Sequence, residues 1–211
     1  MPNTHNYTSN SVESTARVEA FTDGVFAIIA TLLVLELKVP VVEVASSANL
    51  LHGLAELLPE FIAFFFSFFI IAIYWVNHHH FFHNVERADW KLLWYNNFHL
   101  FWMATIPFTT AFIGKYYDSV VAVSLYALDM AMCALSFMLM IRYVFFQSDL
   151  MEPRFSLAKK KIEYKRGMRG VYLYLFATAA AFIHVYLAIA IFIATPILFV
   201  APRLLSNETQ E

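Results

Sequence analysis

The chain reads as an all-α integral membrane protein with six transmembrane helices and both termini in the cytoplasm. Three observations lead there. Apolar side chains make up 60% of the sequence and charged ones 14%, against about 45–50% and about 25% in a soluble domain. The apolar residues, 22 Phe among them, gather in runs long enough to cross a hydrocarbon core about 30 Å thick, which takes about 20 residues of helix. The basic residues fall almost wholly on one side of those runs.

The elements follow in order. Residues Met1 to Ala16 are polar, rich in Asn, Ser and Thr, and lack the basic-then-apolar pattern of a cleaved signal peptide. They are expected to be a disordered cytoplasmic tail. The first span runs from about Arg17 to Val39 and is stopped by Pro40, which cannot continue a helix. The second runs from about Leu54 to Phe82, the third from about Asp89 to Ile113 with Gly114 behind it, and the fourth from about Ser119 to Phe146.

The last apolar stretch, Gly167 to Val200, has no acidic side chain and Arg169 as its only basic one. As one helix it would be about 51 Å long, too long for the bilayer. Two short tilted helices with a turn near Phe182–Tyr186 fit better, on length alone. The transmembrane domain is thus 17–203, with 204–211 a second cytoplasmic tail.

Charge gives an independent check. With six spans and a cytoplasmic N-terminus, twelve of the 14 Lys and Arg residues fall inside, Arg154 and Arg203 among them. Only Lys38 and Lys115 fall outside, as the positive-inside rule requires. A net charge of -2 gives no footprint for nucleic acid. Seven Lys or Arg from Arg154 to Arg169 can serve as an orientation signal or hold anionic lipid headgroups. Cys133, the single cysteine, lies in an apolar run and suits packing.

The first span is the most informative segment. It holds Arg17, Phe21, Thr22 and Asp23, then an apolar run ending Thr31-Leu32-Leu33-Val34-Leu35. This resembles the first-helix motif of the transmembrane protein 175 family of potassium channels, Arg-x-x-x-Phe-Ser-Asp before such a run, with Thr22 keeping the hydroxyl of the Ser. Trp75, His78 and His79 resemble the Trp and paired His that end the family's second helix. Asn97 with Pro107-Phe108-Thr109 resembles its third. Beyond that the likeness rests on hydropathy and spacing.

The resemblance implies a single-repeat prokaryotic potassium channel in the plasma membrane, a homotetramer with the first helix of each copy lining the pore. It also implies pore and selectivity roles for Ile28, Thr31, Leu32 and Leu35. A polar network of Arg17, Phe21, Thr22, Asp23, Trp75, His78, His79 and Asn97 would join the first three helices and set the tilt of the pore helix. Potassium is the permeant ion, with no cofactor, no resident metal, and membrane lipid as the surrounding partner.

The residues alone say less, but agree. At 100° per residue, Ile28, Leu32 and Leu35 fall within about 60° of one another, with Thr31 at the edge and Phe21 and Gly24 continuing the face. Such a face packs on lipid or neighbouring helices in most membrane helices. The chain has five glycines and no Thr-Val-Gly-Tyr-Gly loop, so a filter of backbone carbonyls is excluded. A neck of branched side chains remains, favouring potassium modestly because it sheds water more easily than sodium. Asp23 lies about 140° from Ile28 and is expected to face its own subunit, paired with His78, His79, Asn97 or Arg17.

Two other classes compete. A secondary or proton-coupled transporter would show interrupted helices and charges near the midplane, whereas the first span has no Gly or Pro from Val25 to Val39. A zinc enzyme would need more than the His78–His83 cluster, in which His79 and His83 share a helix face: a third ligand and a base as well, for which Glu86 could be proposed. Glu36, Glu43, Glu56 and Glu60 lie near the outer ends of the first two spans, as an acidic vestibule or a solvated rim.

Overall fold

The computed structural model describes residues 14–151 and 156–207, with side chains given as far as Leu198. Among the described residues there are seven helices: α1 (Thr15–Leu35), α2 (Ser47–Glu56), α3 (Leu58–Phe82), α4 (Trp90–Lys115), α5 (Val120–Phe146), α6 (Leu157–Ala181) and α7 (Val185–Asn207). Three of them, α1, α3 and α5, are long and apolar enough to cross a membrane.

Local chemistry sets the ends. Ser14 Oγ accepts the amide of Ala16 at the start of α1, Ser46 Oγ that of Asn49 in α2, and Ser156 Oγ that of Lys159 in α6. Each meets a backbone donor that the first turn leaves unpaired. Asp89 does the same for Leu92 in α4 at 2.8 Å, and its other oxygen accepts the phenol of Tyr143 on α5. Pro59 stands at the start of α3, where the missing amide costs nothing.

Three sequence expectations change. The second span does not begin at Leu54: a separate ten-residue helix, α2, occupies 47–56 and breaks at Leu57 before Pro59. The last two helices are not short, since α6 starts at Leu157 and both exceed 20 residues. The basic residues from Lys159 to Arg169 lie on α6, because Lys and Arg are good helix formers. The turn itself falls at Phe182–His184, where expected. Of the expected tails, 1–13 and 208–211 lie outside the described residues, as does Arg154; Ser14 to Ala16 already cap and open α1, and α7 runs to Asn207.

Helix α5 is the hub. Its side chains Val123, Met130 and Cys133 are fully buried, in one apolar cluster with Leu100, Met103 and Ile106 of α4, Tyr174 and Ala177 of α6, and Phe192 of α7. A second cluster lies at the other end, where Val18, Phe82, Leu92 and Met140 meet. Close approach needs small residues: a Cβ on Gly114 of α4 would lie 3.0 Å from Glu60 Cα, and one on Gly167 of α6 would lie 2.3 Å from Met138 Sδ.

Candidate functional site: the two faces of helix α1

Helix α1 has one face inside and one face out. Val18, Thr22, Phe26, Ile29 and Leu33 are buried against α3 and α4. Phe21, Ile28, Thr31, Leu32 and Leu35 are exposed, and a side chain built on Gly24 would touch nothing. The contrast is sharp at the C-terminal end: Leu33 is 1% exposed and Leu35 62%. All four residues expected at the pore therefore lie together on the face that the chain leaves uncovered.

Thr31 adds a polar atom to that face. Its Oγ1 donates to the carbonyl of Ile28 at 2.9 Å. The hydroxyl hydrogen is thereby used on the helix, and the oxygen's lone pairs are what it offers outward.

The inner face is pinned by a buried chain of hydrogen bonds. His78 Nε2 lies 2.8 Å from Asn96 Oδ1, and Asn96 Nδ2 donates to Thr22 Oγ1 at 2.9 Å. An amide oxygen only accepts, so His78 carries its proton on Nε2. Three helices are joined through Thr22, His78 and Asn96, all buried, and the His78 ring stacks on Phe82 at 4.4 Å.

Asn97 is the first correction to the expected network. The side chain of Asn97 is exposed, and its neighbour Asn96 makes both bonds. Adjacent residues on a helix are about 100° apart, so only one of the two can face Thr22 and His78. Asp23 is the second. It sits exposed at the seam, and its Oδ1 accepts from Trp75 Nε1 at 2.8 Å, where His78, His79, Asn97 or Arg17 was expected. Thr22 occupies the centre of the inner face, which turns Asp23 to its edge. His79 stacks on Trp75, ring centres 6.1 Å apart. Arg17 and Phe21 are exposed on the first two turns. The expected residues thus divide into a buried set, Thr22 and His78 with Asn96, and a rim of Asp23, Trp75 and His79.

Sequence reasoning missed a buried acid. Asp129, halfway along α5, is 4% exposed and accepts from Thr105 Oγ1 and Thr109 Oγ1 of α4, both at 2.7 Å. Below it His99 Nδ1 lies 3.1 Å from Ser136 Oγ, and to the other side Thr110, Ser67 and Tyr126 are hydrogen-bonded in series. The signal was a lone Asp in the middle of a 27-residue apolar run, since charges at membrane depth are retained for a reason. These polar groups also explain why α4 has a lower mean hydropathy than its neighbours while keeping its polar side inward. Among the described residues, no three His, Cys, Asp or Glu side chains converge as a metal site would need.

An all-helical chain with helices long and apolar enough to cross a membrane, one of which turns an apolar stripe away from its own core, belongs with multi-pass membrane proteins. Comparison with known proteins makes this specific. Residues 17–107 match the family described as endosomal/lysosomal potassium channel TMEM175. A potassium channel of Chryseobacterium sp. (strain P1-3) is 35% identical over 190 residues, covering 88% of this chain and 92% of that one. The endosomal/lysosomal proton channel TMEM175 of Danio rerio is 40% identical over 100 residues, which are 44% of this chain and 19% of that protein. The crystal structure of a lysosomal potassium-selective channel TMEM175 homolog from Chamaesiphon minutus superposes with a TM-score of 0.79 at 34% identity, covering 89% of this chain and 97% of that one. The chain belongs to the TMEM175 family, a family of ion channels and not of enzymes.

Proposed function

We propose that this protein is a potassium-permeable channel of the prokaryotic plasma membrane, four copies of which surround a pore lined by the exposed stripe of α1. One observation carries the reading: the motif-bearing helix buries Thr22, Phe26, Ile29 and Leu33 and leaves Ile28, Thr31, Leu32 and Leu35 uncovered. A stripe that apolar, on a helix fixed to its neighbours by buried hydrogen bonds, is built to meet copies of itself.

In this reading α1, α3, α4, α5, α6 and α7 are the six spans, with both termini cytoplasmic, and α2 lies at the outer surface. The distribution of Lys and Arg supports that orientation. Rings of Ile28, Leu32 and Leu35 narrow the path until a hydrated ion must lose part of its shell, and such a neck can also close by dewetting. The lone pairs of Thr31 replace some of the lost water. Potassium, the more easily dehydrated ion, passes more readily than sodium. Asp23 and Trp75, at the seam between α1 and α3, hold the tilt of the pore helix and stay away from the ion.

Liposome flux tests this. Purified wild-type protein is expected to carry potassium faster than sodium, and Leu35→Ala to raise the flux and lower the preference. Equal potassium and sodium flux in the wild type, with Leu35→Ala indistinguishable from it, contradicts the pore assignment.

Asp129 favours a second reading, a secondary or proton-coupled transporter. A buried carboxylate held by two threonine hydroxyls at mid-helix is the sort of group that loads and unloads protons in carriers. Potassium flux that saturates at low concentration and depends on Asp129 but not on Leu35 would favour it.

A further inference from the structure

A cavity of about 830 Å³ opens between α3, α5, α6 and α7, on the side away from the exposed stripe of α1. The lining residues on α3 include Ile73, Asn77 and His80. Trp75, which holds Asp23 of α1, is two residues from both Ile73 and Asn77, so it projects nearly opposite to them at 100° per residue. The cavity is therefore separate from the pore face and from the network that holds it.

Its two ends differ chemically. One end is walled by Phe69 and Ile73 of α3 with Pro196 of α7. The other end carries His80 from α3 with Lys159 and Arg166 from α6. Lys159, Glu163 and Arg166 lie at i, i+4 and i+7, so one face of α6 presents two fixed cations and one carboxylate to the same opening. From Phe69 to Phe81 the lined stretch of α3 is about 18 Å long, enough to reach from headgroup level past the midplane of a core about 30 Å thick. The volume is that of a site for a bound organic molecule, roughly 300–1,000 Å³.

We propose that this groove binds an anionic phospholipid of the cytoplasmic leaflet, its acyl chain between Ile73 and Pro196 and its phosphate on Arg166 and Lys159. The chemistry matches at both ends. An acyl chain fills the apolar slot, and the planar guanidinium of Arg166 can give two hydrogen bonds to one phosphate. A zwitterionic lipid fills the slot equally well but brings its own cation to a mouth that already holds two. The inference rests on the proposed orientation, which puts the first turns of α6 at the cytoplasmic surface.

The test is a lipid titration followed by native mass spectrometry on the purified full-length protein, with palmitoyl-oleoyl phosphatidylglycerol and palmitoyl-oleoyl phosphatidylcholine as probes. The wild type is expected to retain phosphatidylglycerol in preference. Lys159→Gln/Arg166→Gln is expected to weaken its binding about 30-fold, from two surface cations lost. Ile73→Trp, which fills the slot and leaves the charge alone, is expected to weaken both lipids. Lys161→Gln/Lys165→Gln removes the same charge outside the cavity and is expected to change little. Equal retention of the two lipids by the wild type would overturn the proposal. So would equal losses in the two charge variants, which would mean diffuse surface attraction, or an Ile73→Trp variant that binds as the wild type does, which would mean that something else, such as a second copy, fills the slot. Thallium flux in phosphatidylcholine liposomes on the same preparations separates this from the channel reading: flux without lipid preference overturns the lipid site alone, and lipid preference without flux overturns the channel alone.

Discussion

Helices α1 and α5 have almost the same mean hydropathy, 2.0 and 1.9, yet 28% of the apolar window of α1 is buried inside the chain against 61% of α5. Hydropathy says that both belong out of water. It does not say whether a given apolar face meets the chain's own core, lipid, another copy or a pore. In a bilayer the hydrophobic effect gives little drive for one helix to pack on another, so van der Waals fit and interhelical hydrogen bonds decide which face turns inward. On α5 these determinants are spread along about three turns, where Tyr126, Asp129 and Ser136 all bond to other helices. On α1 they occupy one side only, at Thr22, with Asp23 at the seam. The other side is left uncovered by the chain itself.

The comparison can be broken first at the hub. Tyr126→Ala removes a fully buried ring and the hydroxyl that meets Ser67. It is expected to cost about 3–5 kcal/mol of stability, seen as a large fall in the melting temperature of the detergent-purified protein.

The buried link between α1 and its neighbours comes next. Asn96→Leu leaves Thr22 and His78 without their partner and is expected to cost about 1–2 kcal/mol, while Asn97→Leu stays within about 0.5 kcal/mol of wild type. Equal losses in the two variants would return the network to Asn97. At the seam, Trp75→Phe keeps the aromatic body but removes the donor to Asp23, an effect of about 0.6 kcal/mol. In the proposed reading its larger consequence is expected in flux, because α1 loses its tether to α3.

The smallest stability change is expected on the open face. Leu35→Ala should leave the melting temperature within the effect of about 0.5 kcal/mol typical of exposed sites, and change ion flux nonetheless. A variant that is silent in unfolding and loud in transport is the sharpest form of the contrast between α1 and α5.

Much of this fold was legible in the sequence, and the reasons for the misses are physical. Long apolar runs located α1, α3, α4 and α5, although α1 ends at Leu35, ahead of the Pro40 expected to stop it, and a length argument placed the turn at Phe182–His184. The start of α6 was missed because its first turns are basic, and a span search stops where charge begins although the helix does not. Helix α2 was missed because its ten residues were merged with the apolar run behind them. At the site, the 100° step of α1 correctly grouped Ile28, Leu32 and Leu35, since a helix fixes angles between its own residues. It could not decide between Asn96 and Asn97, because that choice depends on the rotation of α4 relative to α1, which only the packed structure supplies. Asp129 was visible as a lone acid in an apolar run, but its threonine partners lie on another helix.

Cysteine accessibility along α1 tests the central claim most directly. Cys133 is the only cysteine and is buried, so a Cys133→Ala background allows single cysteines at Ile28, Ile29, Leu33 and Leu35. Potassium flux into liposomes would be measured before and after a small charged methanethiosulfonate reagent. Flux should be blocked at Ile28→Cys and Leu35→Cys and spared at Ile29→Cys and Leu33→Cys; block at the latter pair, or none at the former, would contradict a pore lined by the open face of α1.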